Sequence, residues 1–387
     1  MRLTHLLLYL CLIAMILTGD IGVADARRQT VAFNRRVVAM RLPGPYAVAC
    51  ADFNLDGRMD VAVANFLGNS VTVLLRKGTN SFESGFYGIG AGPAAIETCD
   101  LSGDAIPDII VANYTGGSVS ILRGRGDGSF EAAVNYPVPK AHHAIPVDLN
   151  NDGAPDLAVA DDDANRMSIL INQGGGGFGT PVHLQSSGRP HAVAGGDFDR
   201  DGKQDLAVTR LTENRITLML GNGDGTFRNG SSTPVGRSPH HVIAVDLNRD
   251  GMLDLATADS DNSTVTILLG DGNGAFSQSA QPVVGSIPLY LAAADFNGDN
   301  NLDLAAVNLN SANVSILIGS GTGTFEGAIN FPAASGASTL ATGDLDDDGK
   351  PDVAVANSNA NTVSMLSSRG VIPLSRRPIT RGIVDGN

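Results

Sequence analysis

The sequence predicts an all-β fold, a ring of four-stranded sheets closed as a seven-bladed β-propeller, and three observations predict it. The first is a motif, Asp-x-[Asn/Asp/Ser]-x-Asp-[Gly/Ala/Asn]-x-x-Asp, followed directly by a short apolar run. It occurs seven times, starting at Asp52, Asp100, Asp148, Asp197, Asp246, Asp295 and Asp344, in steps of 48 or 49 residues. A strand-bearing period of that size marks a propeller, solenoid or array. The second is composition: 47 Gly, 5% aromatic residues and no Trp suit short strands joined by tight turns. The third is a Phe that stands 18 or 19 residues ahead of every motif, at Phe33, Phe82, Phe130, Phe178, Phe227, Phe276 and Phe325.

The fifth unit shows how the strands fall. Pro239 to Val245 leads into the Asp246 loop, Leu255 to Ala258 is short and apolar, and Thr264 to Leu269 is rich in β-branched residues. Gly270 to Gly274 is a turn, and Phe276 opens a fourth strand that ends near Val284. Four strands per unit of this length describe a propeller blade. The last motif has Leu374 where the other units place their Phe, whereas Phe33 has no full unit before it. The segment Phe33 to Met40 is therefore expected to supply the outer strand of the last blade, closing the ring and removing an exposed strand edge. The alternative is an open solenoid with a ragged N-terminal cap.

The repeats run without a break in composition, so residues 27–369 are expected to form one domain. Ahead of them, Arg2, the apolar run Leu6 to Leu17 and Ala24-Asp25-Ala26 read as a signal peptide over 1–26, with a short membrane anchor as the alternative. The basic, Pro-containing stretch 370–387 reads as a loosely held tail. Export predicts a secreted, extracellular or periplasmic protein with no membrane span after cleavage. Cys50 and Cys99 stand two residues and one residue before their motif Asp, which on equivalent strands puts them on opposite sides; two buried thiols are expected rather than a bridge.

The formal charge of −14 argues against nucleic acid as a partner. The acid is local: the specified motif positions hold 23 of the 40 acidic residues, so it serves the loops rather than general solubility. Carboxylates crowded into one turn repel each other unless a cation sits between them.

Gly90-Ala91-Gly92-Pro93, Phe178-Gly179 and the seven Asp-rich loops resemble the FG-GAP or VCBS repeat family, which includes the propeller of integrin alpha subunits. The resemblance spans Phe33 to Arg369. It implies calcium in the loops joining the first and second strands of each blade, with up to seven sites. In the first blade Asp52, Asn54, Asp56 and Asp60 would converge, with the Arg58 carbonyl between them and Gly57 permitting the turn. The loop is not an EF-hand, because Val63 stands where a bidentate Glu would be required. The third and fifth loops repeat the set as Asp148, Asn150, Asp152, Asp156 and as Asp246, Asn248, Asp250, Asp254. The fourth and seventh are richer in charge, with Asp197, Asp199, Asp201, Asp205 and Asp344, Asp346, Asp348, Asp352, and are expected to bind tightest. The second, Asp100, Ser102, Asp104, Asp108, has Ala105 at the Gly position and is expected to be weakest. The sixth, Asp295, Asn297, Asp299, Asp303, has Asn300 there, which tolerates positive φ. The alternative is a set of Asx-rich turns without metal.

One asymmetry stands out when the blades are aligned. Six residues before the motif Asp stand Tyr46, Ala94, His142, His191, His240, Leu289 and Ser338. Thirteen residues after it stand Asn65, Asn113, Asp161, Arg210, Asp259, Asn308 and Asn357. The same three blades depart at both positions, at the end away from the acid loops. By resemblance to the integrin type, that face binds partners. The pattern predicts a polar ligand or transition-metal site near the ring axis, built by His142, His191 and His240 and framed by Asp161, Arg210 and Asp259. The alternative is a His shared by related blades for turn packing; His143 and His241 fit either reading. No nucleophile–base signature and no phosphate-cradling loop is present. A binding or adhesion module for an extracellular protein or glycan is the expected function. A polysaccharide- or glycoconjugate-active enzyme of lyase type, or a lectin, is the alternative.

Overall fold

The computed structural model describes residues 29–78 and 81–373, so the expected signal peptide over 1–26 and the tail from 374 onward lie outside the described residues. Within them every regular element is a strand, and the strands form seven separate four-stranded antiparallel sheets. Six sheets take four strands in chain order, beginning at Pro45–Ala51, Pro93–Cys99, Ala141–Val147, Pro190–Gly196, Pro239–Val245 and Pro288–Ala294. The fifth blade follows the expected pattern, with strands at Pro239–Val245, Asp254–Asp259, Thr264–Gly270 and Phe276–Ala280.

The seventh sheet closes the ring. Its strands are Ala337–Gly343, Asp352–Asn357, Thr362–Pro373 and, on the outside, the N-terminal Gln29–Ala39. Phe33 pairs with Ser368, as Phe276 pairs with Gly270 in the fifth blade. Its ring meets Phe296 of the sixth blade at 5.8 Å, edge to face. The same contact joins Phe53 to Phe130 at 5.4 Å and Phe198 to Phe276 at 5.7 Å. The N-terminal strand thus fills the place of an outer strand down to its aromatic packing. Beside the axis the two ends also join directly: Val48 N–H donates to Thr339 Oγ1 at 3.1 Å and Ser338 Oγ to the Tyr46 carbonyl at 2.6 Å. At the acid-loop end, the buried Arg76 guanidinium pairs with Asp347 of the seventh blade. The last strand runs to Pro373, past the expected domain end at Arg369.

The second strand of every blade is buried along its whole length, Asp60–Asn65 and its six counterparts alike. Both of its faces pack on neighbouring blades, which is why it reads Asp-Val-Ala-Val-Ala-Asn rather than as an alternation. The core is correspondingly divided into clusters between blades: Ala47, Ala62 and Val71 of the first blade pack with Ile96, Ile109 and Val111 of the second. Cys50 and Cys99 are free thiols, as expected, but each is half-buried rather than buried.

One feature of the innermost strands places the site. Each is irregular at its start: Ala141 pairs with Asp161 and His143 with Ala160, leaving His142 unpaired. The same skip leaves out Tyr46, Ala94, His240, Leu289 and Ser338, and in the fourth blade His191 with Ala192. A bulge re-aims the side chain of its extra residue. Here it turns one residue per blade toward the axis.

Candidate functional site

All seven acid loops share one construction. The leading Asp is an anchor for the turn: Asp52 accepts from Asp56 N–H at 3.1 Å and Gly57 N–H at 2.8 Å. Asp100, Asp148, Asp197, Asp246, Asp295 and Asp344 accept from the matching positions. Asn54, Asn150, Asp199, Asn248 and Asn297 accept from the acid two residues on, whereas Ser102 donates its hydroxyl to Asp100 at 3.3 Å. Asp56, Asp104, Asp152, Asp201, Asp250, Asp299 and Asp348 each accept an amide two residues further along, Arg58 N–H in the first loop. The backbone takes positive φ at the Gly position, including Ala105 at 65° and Asn300 at 66°. It does so two residues earlier as well, at Leu55, Asn151, Arg200, Arg249 and Asp347, which the sequence reading did not anticipate.

The closing Asp has a second role that the motif did not announce. Asp60 is fully buried and uses its two oxygens for two different backbone groups, Phe53 N–H at 3.1 Å and Arg76 N–H at 2.7 Å. Asp108, Asp156, Asp205, Asp254, Asp303 and Asp352 repeat the pair of bonds, each tying its loop to the end of the third strand. Burial, helped by the neighbouring loop acids, pushes Asp60 and Asp205 up to about 6 and Asp303 and Asp352 up to about 7. In the two charge-rich loops, oxygens of Asp197, Asp199 and Asp205, and of Asp344, Asp346 and Asp348, lie within 4.8 Å of one another. Asp346 Oδ1 is buried there with no hydrogen-bond partner. An oxygen-only donor set with such an orphan fits a hard cation.

At the opposite end of the axis the bulge brings His142, His191 and His240 together. The His142 and His191 rings lie 3.7 Å apart and the His191 and His240 rings 4.5 Å apart. His143, His241 and Tyr290 join them from the next position along the strand, with His241 stacked on Tyr290 at 3.5 Å. Burial first, and then the neighbouring imidazoles, hold these rings neutral: His240 falls to about 4 and His143 to about 3. The space they line is about 30 Å³, room for two or three waters at roughly 10–15 Å³ each. Among the described residues, no group of three metal-ligand atoms within 4.8 Å of each other includes these imidazoles, so as placed they do not share one ion.

The expected frame of that site is not where the structure puts it. Asp161 bonds Arg166 Nε at 2.8 Å and Ser168 Oγ at 2.7 Å, inside its own blade. Asp259 accepts from Thr257, Thr264 and Thr266 in the same way. Arg210 reaches Ser186 Oγ and the Ser187 carbonyl, and burial holds it down at about 10. In the other blades Asn65, Asn113, Asn308 and Asn357 bond third-strand hydroxyls from this position. Asp161 and Asp259 therefore brace the hairpin between second and third strands, Arg210 reaches the connection from the preceding blade, and none of the three lines the axial cavity. The residues that do frame the imidazoles are Asp162 and Arg189. Arg189 grips Asp162 with two bonds of 2.9 Å and Asp163 at 3.0 Å, while Asp162 also meets His191 Nδ1 at 3.3 Å and Asp163 meets the Tyr114 hydroxyl. Although burial raises it, the bonds from His191 and Arg189 hold Asp162 at about 2. Asp162 directly follows the aligned position, and the Asp-Asp-Asp run at 161–163 was the available signal for it.

Among the described residues no helix is long and apolar enough to cross a membrane. No curated protein sequence matches this chain. Similar solved structures include the BBS1N chain of a complex with ARL6DN, 13% identical, covering 88% of this chain and 97% of that one with a TM-score of 0.63. Virginiamycin B lyase from Staphylococcus aureus is 12% identical, covering 87% and 99% with a TM-score of 0.60. An Agrocybe aegerita lectin specific for non-reducing terminal N-acetylglucosamine is 18% identical, covering 82% and 86% with a TM-score of 0.51. At these identities the likeness is one of fold. The FG-GAP-like repeat model matches residues 52–111, 148–208, 197–257, 246–306 and 295–355, and with a motif in every one of the seven blades this chain belongs to the FG-GAP-like repeat family.

Proposed function

We propose that this chain is a secreted, calcium-stabilised propeller that works as a binding or adhesion module, recognising an extracellular protein or glycan with its imidazole end. The observation that carries the reading is the contrast between seven loops built alike and one end where only some blades carry Tyr114, Asp162, Arg189 and the imidazoles. A repeated feature suits support, and a one-sided polar cluster suits recognition. The small axial cavity weighs against the enzyme alternative, since about 30 Å³ does not enclose a sugar ring. The oxygen donors of the loops, above all Asp197, Asp199, Asp205 and Asp344, Asp346, Asp348, would hold the calcium.

Thermal unfolding with and without a chelator, alongside metal analysis of the purified protein, tests the calcium half. Each site filled at tenfold excess over its Kd adds about 1.4 kcal/mol, so chelation is expected to lower the melting temperature by many degrees. An unchanged melting temperature removes calcium from the reading. The recognition half is tested by screening glycans and extracellular proteins with the parent and with Arg189→Ala. Binding lost in the variant supports the assigned face, and binding unaffected by it moves the partner elsewhere.

A further inference from the structure

The axis holds a second polar feature, which lies deeper than His142, His191 and His240 and meets the cluster through His143 and Tyr290. The last three residues before each motif Asp read Ala-Cys-Ala, Glu-Thr-Cys, Ile-Pro-Val, Ala-Gly-Gly, Ile-Ala-Val, Ala-Ala-Ala and Ala-Thr-Gly around the ring. Nearly all are partly exposed although they sit on the innermost strands, so they border the water-accessible axial passage. Glu97 is the one charged residue among them. Its side chain is 31% exposed, and among the described residues no Lys or Arg forms an ion pair with it. A carboxylate in such surroundings is costly unless a cation completes it.

We propose that Glu97 anchors an axial site for a primary alkylammonium group, which binds its Oε2 oxygen while the methylene stem lies along the apolar wall. The geometry selects this class. Tyr290 Oη donates to Glu97 Oε1 at 2.9 Å. His143 Nδ1 accepts from Val193 N–H at 3.4 Å, which leaves the ring proton on Nε2, and that nitrogen faces the same Oε1 at 3.9 Å with no other partner. One donor, Tyr290 Oη, is thus committed to Oε1, the Nε2 proton stands nearest the same atom without bonding it, and Oε2 is left for a ligand. A guanidinium prefers to engage both oxygens at once, whereas an ammonium is a single-point donor. A protonated Nε2 is no metal ligand, and among the described residues no third ligand accompanies Glu97. Ile145, Val147, Ile243 and Val245 supply apolar surface for the stem.

The test is calorimetric titration of the calcium-saturated full chain with n-butylammonium chloride, n-butanol and n-butylguanidinium chloride. The ammonium is expected to bind with a Kd on the order of 1 mM, and the other two at least tenfold more weakly. Glu97→Gln should lose at least tenfold in ammonium affinity while melting as the parent does. Ile145→Phe, which blocks the passage and leaves the carboxylate intact, should lose it as well. Burial, opposed by the Tyr290 bond, brings Glu97 up to about 7. With His143, His241 and Cys99 as the other titratable groups beside Glu97 and Tyr290, affinity should fall from pH 8 to pH 6. Equal affinity for butanol and butylammonium, full binding by Glu97→Gln, or no binding of the ammonium at 20-fold the expected Kd each overturn the proposal. So does zinc binding that Glu97→Gln abolishes, which would make this a metal site. Because calcium is present throughout, failure here leaves the loop reading untouched.

Discussion

The two ends of the ring use opposite designs. At the acid-loop end every blade repeats the same bonds, from Asp60 to Phe53 and Arg76 in the first blade through Asp352 to Leu345 and Ser368 in the seventh. At the other end the aligned residues differ from blade to blade, and only some carry His142, His191 and His240. Repetition marks what holds the ring together, and departure from it marks what is free to be specific. Departure alone is not sufficient. Asp161, Arg210 and Asp259 also break the pattern, yet Asp161 and Asp259 do the work of the Asn they replace inside their own blades, and Arg210 ties its blade to the connection from the preceding one. The departures on which the proposed recognition rests include the bulged position that faces the axis.

The largest effect should come from the repeated end. Asp303→Ala orphans two buried amides, Phe296 N–H and Gly319 N–H, at roughly 1–3 kcal/mol each. Denaturant unfolding should show a loss of about 2–6 kcal/mol with or without calcium. A loss confined to calcium-loaded protein would mean that Asp303 is only a ligand. His240→Ala, at the variable end, is expected to cost much less, since among the described residues no hydrogen bond ties that ring to a neighbouring blade.

The ends should also answer pH in opposite directions. Asp60 and Asp205 at about 6, and Asp303 and Asp352 at about 7, lie above the ordinary 3.8. The folded, metal-free loops therefore bind protons more tightly than the unfolded chain. Their contribution is fully present below pH 3.8 and is lost as pH rises through 6 to 7. The imidazoles run the other way: His143 at about 3 and His240 at about 4 lie below the ordinary 6.5, so their contribution is present above 6.5 and lost as pH falls toward 4 and 3. Melting temperature against pH should separate the two. Calcium should abolish the decline above pH 6, and His143→Gln, which keeps an acceptor for Val193 N–H, should flatten the decline below 6.5. A calcium effect on the acid limb alone would reverse the assignment of the two ends.

The ring itself was legible because its signals are local and repeated. The motif period, the turn residues and the Phe at each outer strand all survive in sequence, and Phe33 disclosed the closure. The acid loops were legible as loops, but the closing Asp read only as a ligand. Its bond to Arg76 N–H spans 16 residues, and no short motif encodes that contact. The imidazoles were found because their row can be aligned. Their frame was misjudged because the aligned row thirteen residues on faces into the blade, whereas Asp162 and Arg189 meet across two turns separated by 27 residues. Glu97 was missed although the row three residues before the motif reads Ala, Glu, Ile, Ala, Ile, Ala, Ala. The charge was visible there, and only the ring shows that it stands opposite Tyr290.

The smallest prediction tests how alike the seven loops are. Ala105 takes φ 65° where five of its counterparts are Gly. A side chain in the left-handed region costs roughly 1–2 kcal/mol, while Gly loses more chain entropy on folding, roughly 0.5–1 kcal/mol. Ala105→Gly should therefore gain only about 0.5 kcal/mol, read as a small rise in melting temperature. The reverse change, Gly251→Ala, isolates the backbone term, because a Cβ placed there meets no atom within 4 Å and φ is 80°. It should lose about 1 kcal/mol. If Gly251→Ala costs nothing in metal-free protein but weakens calcium binding, the positive φ is imposed by the ion rather than by the turn, and the loops are alike only when filled.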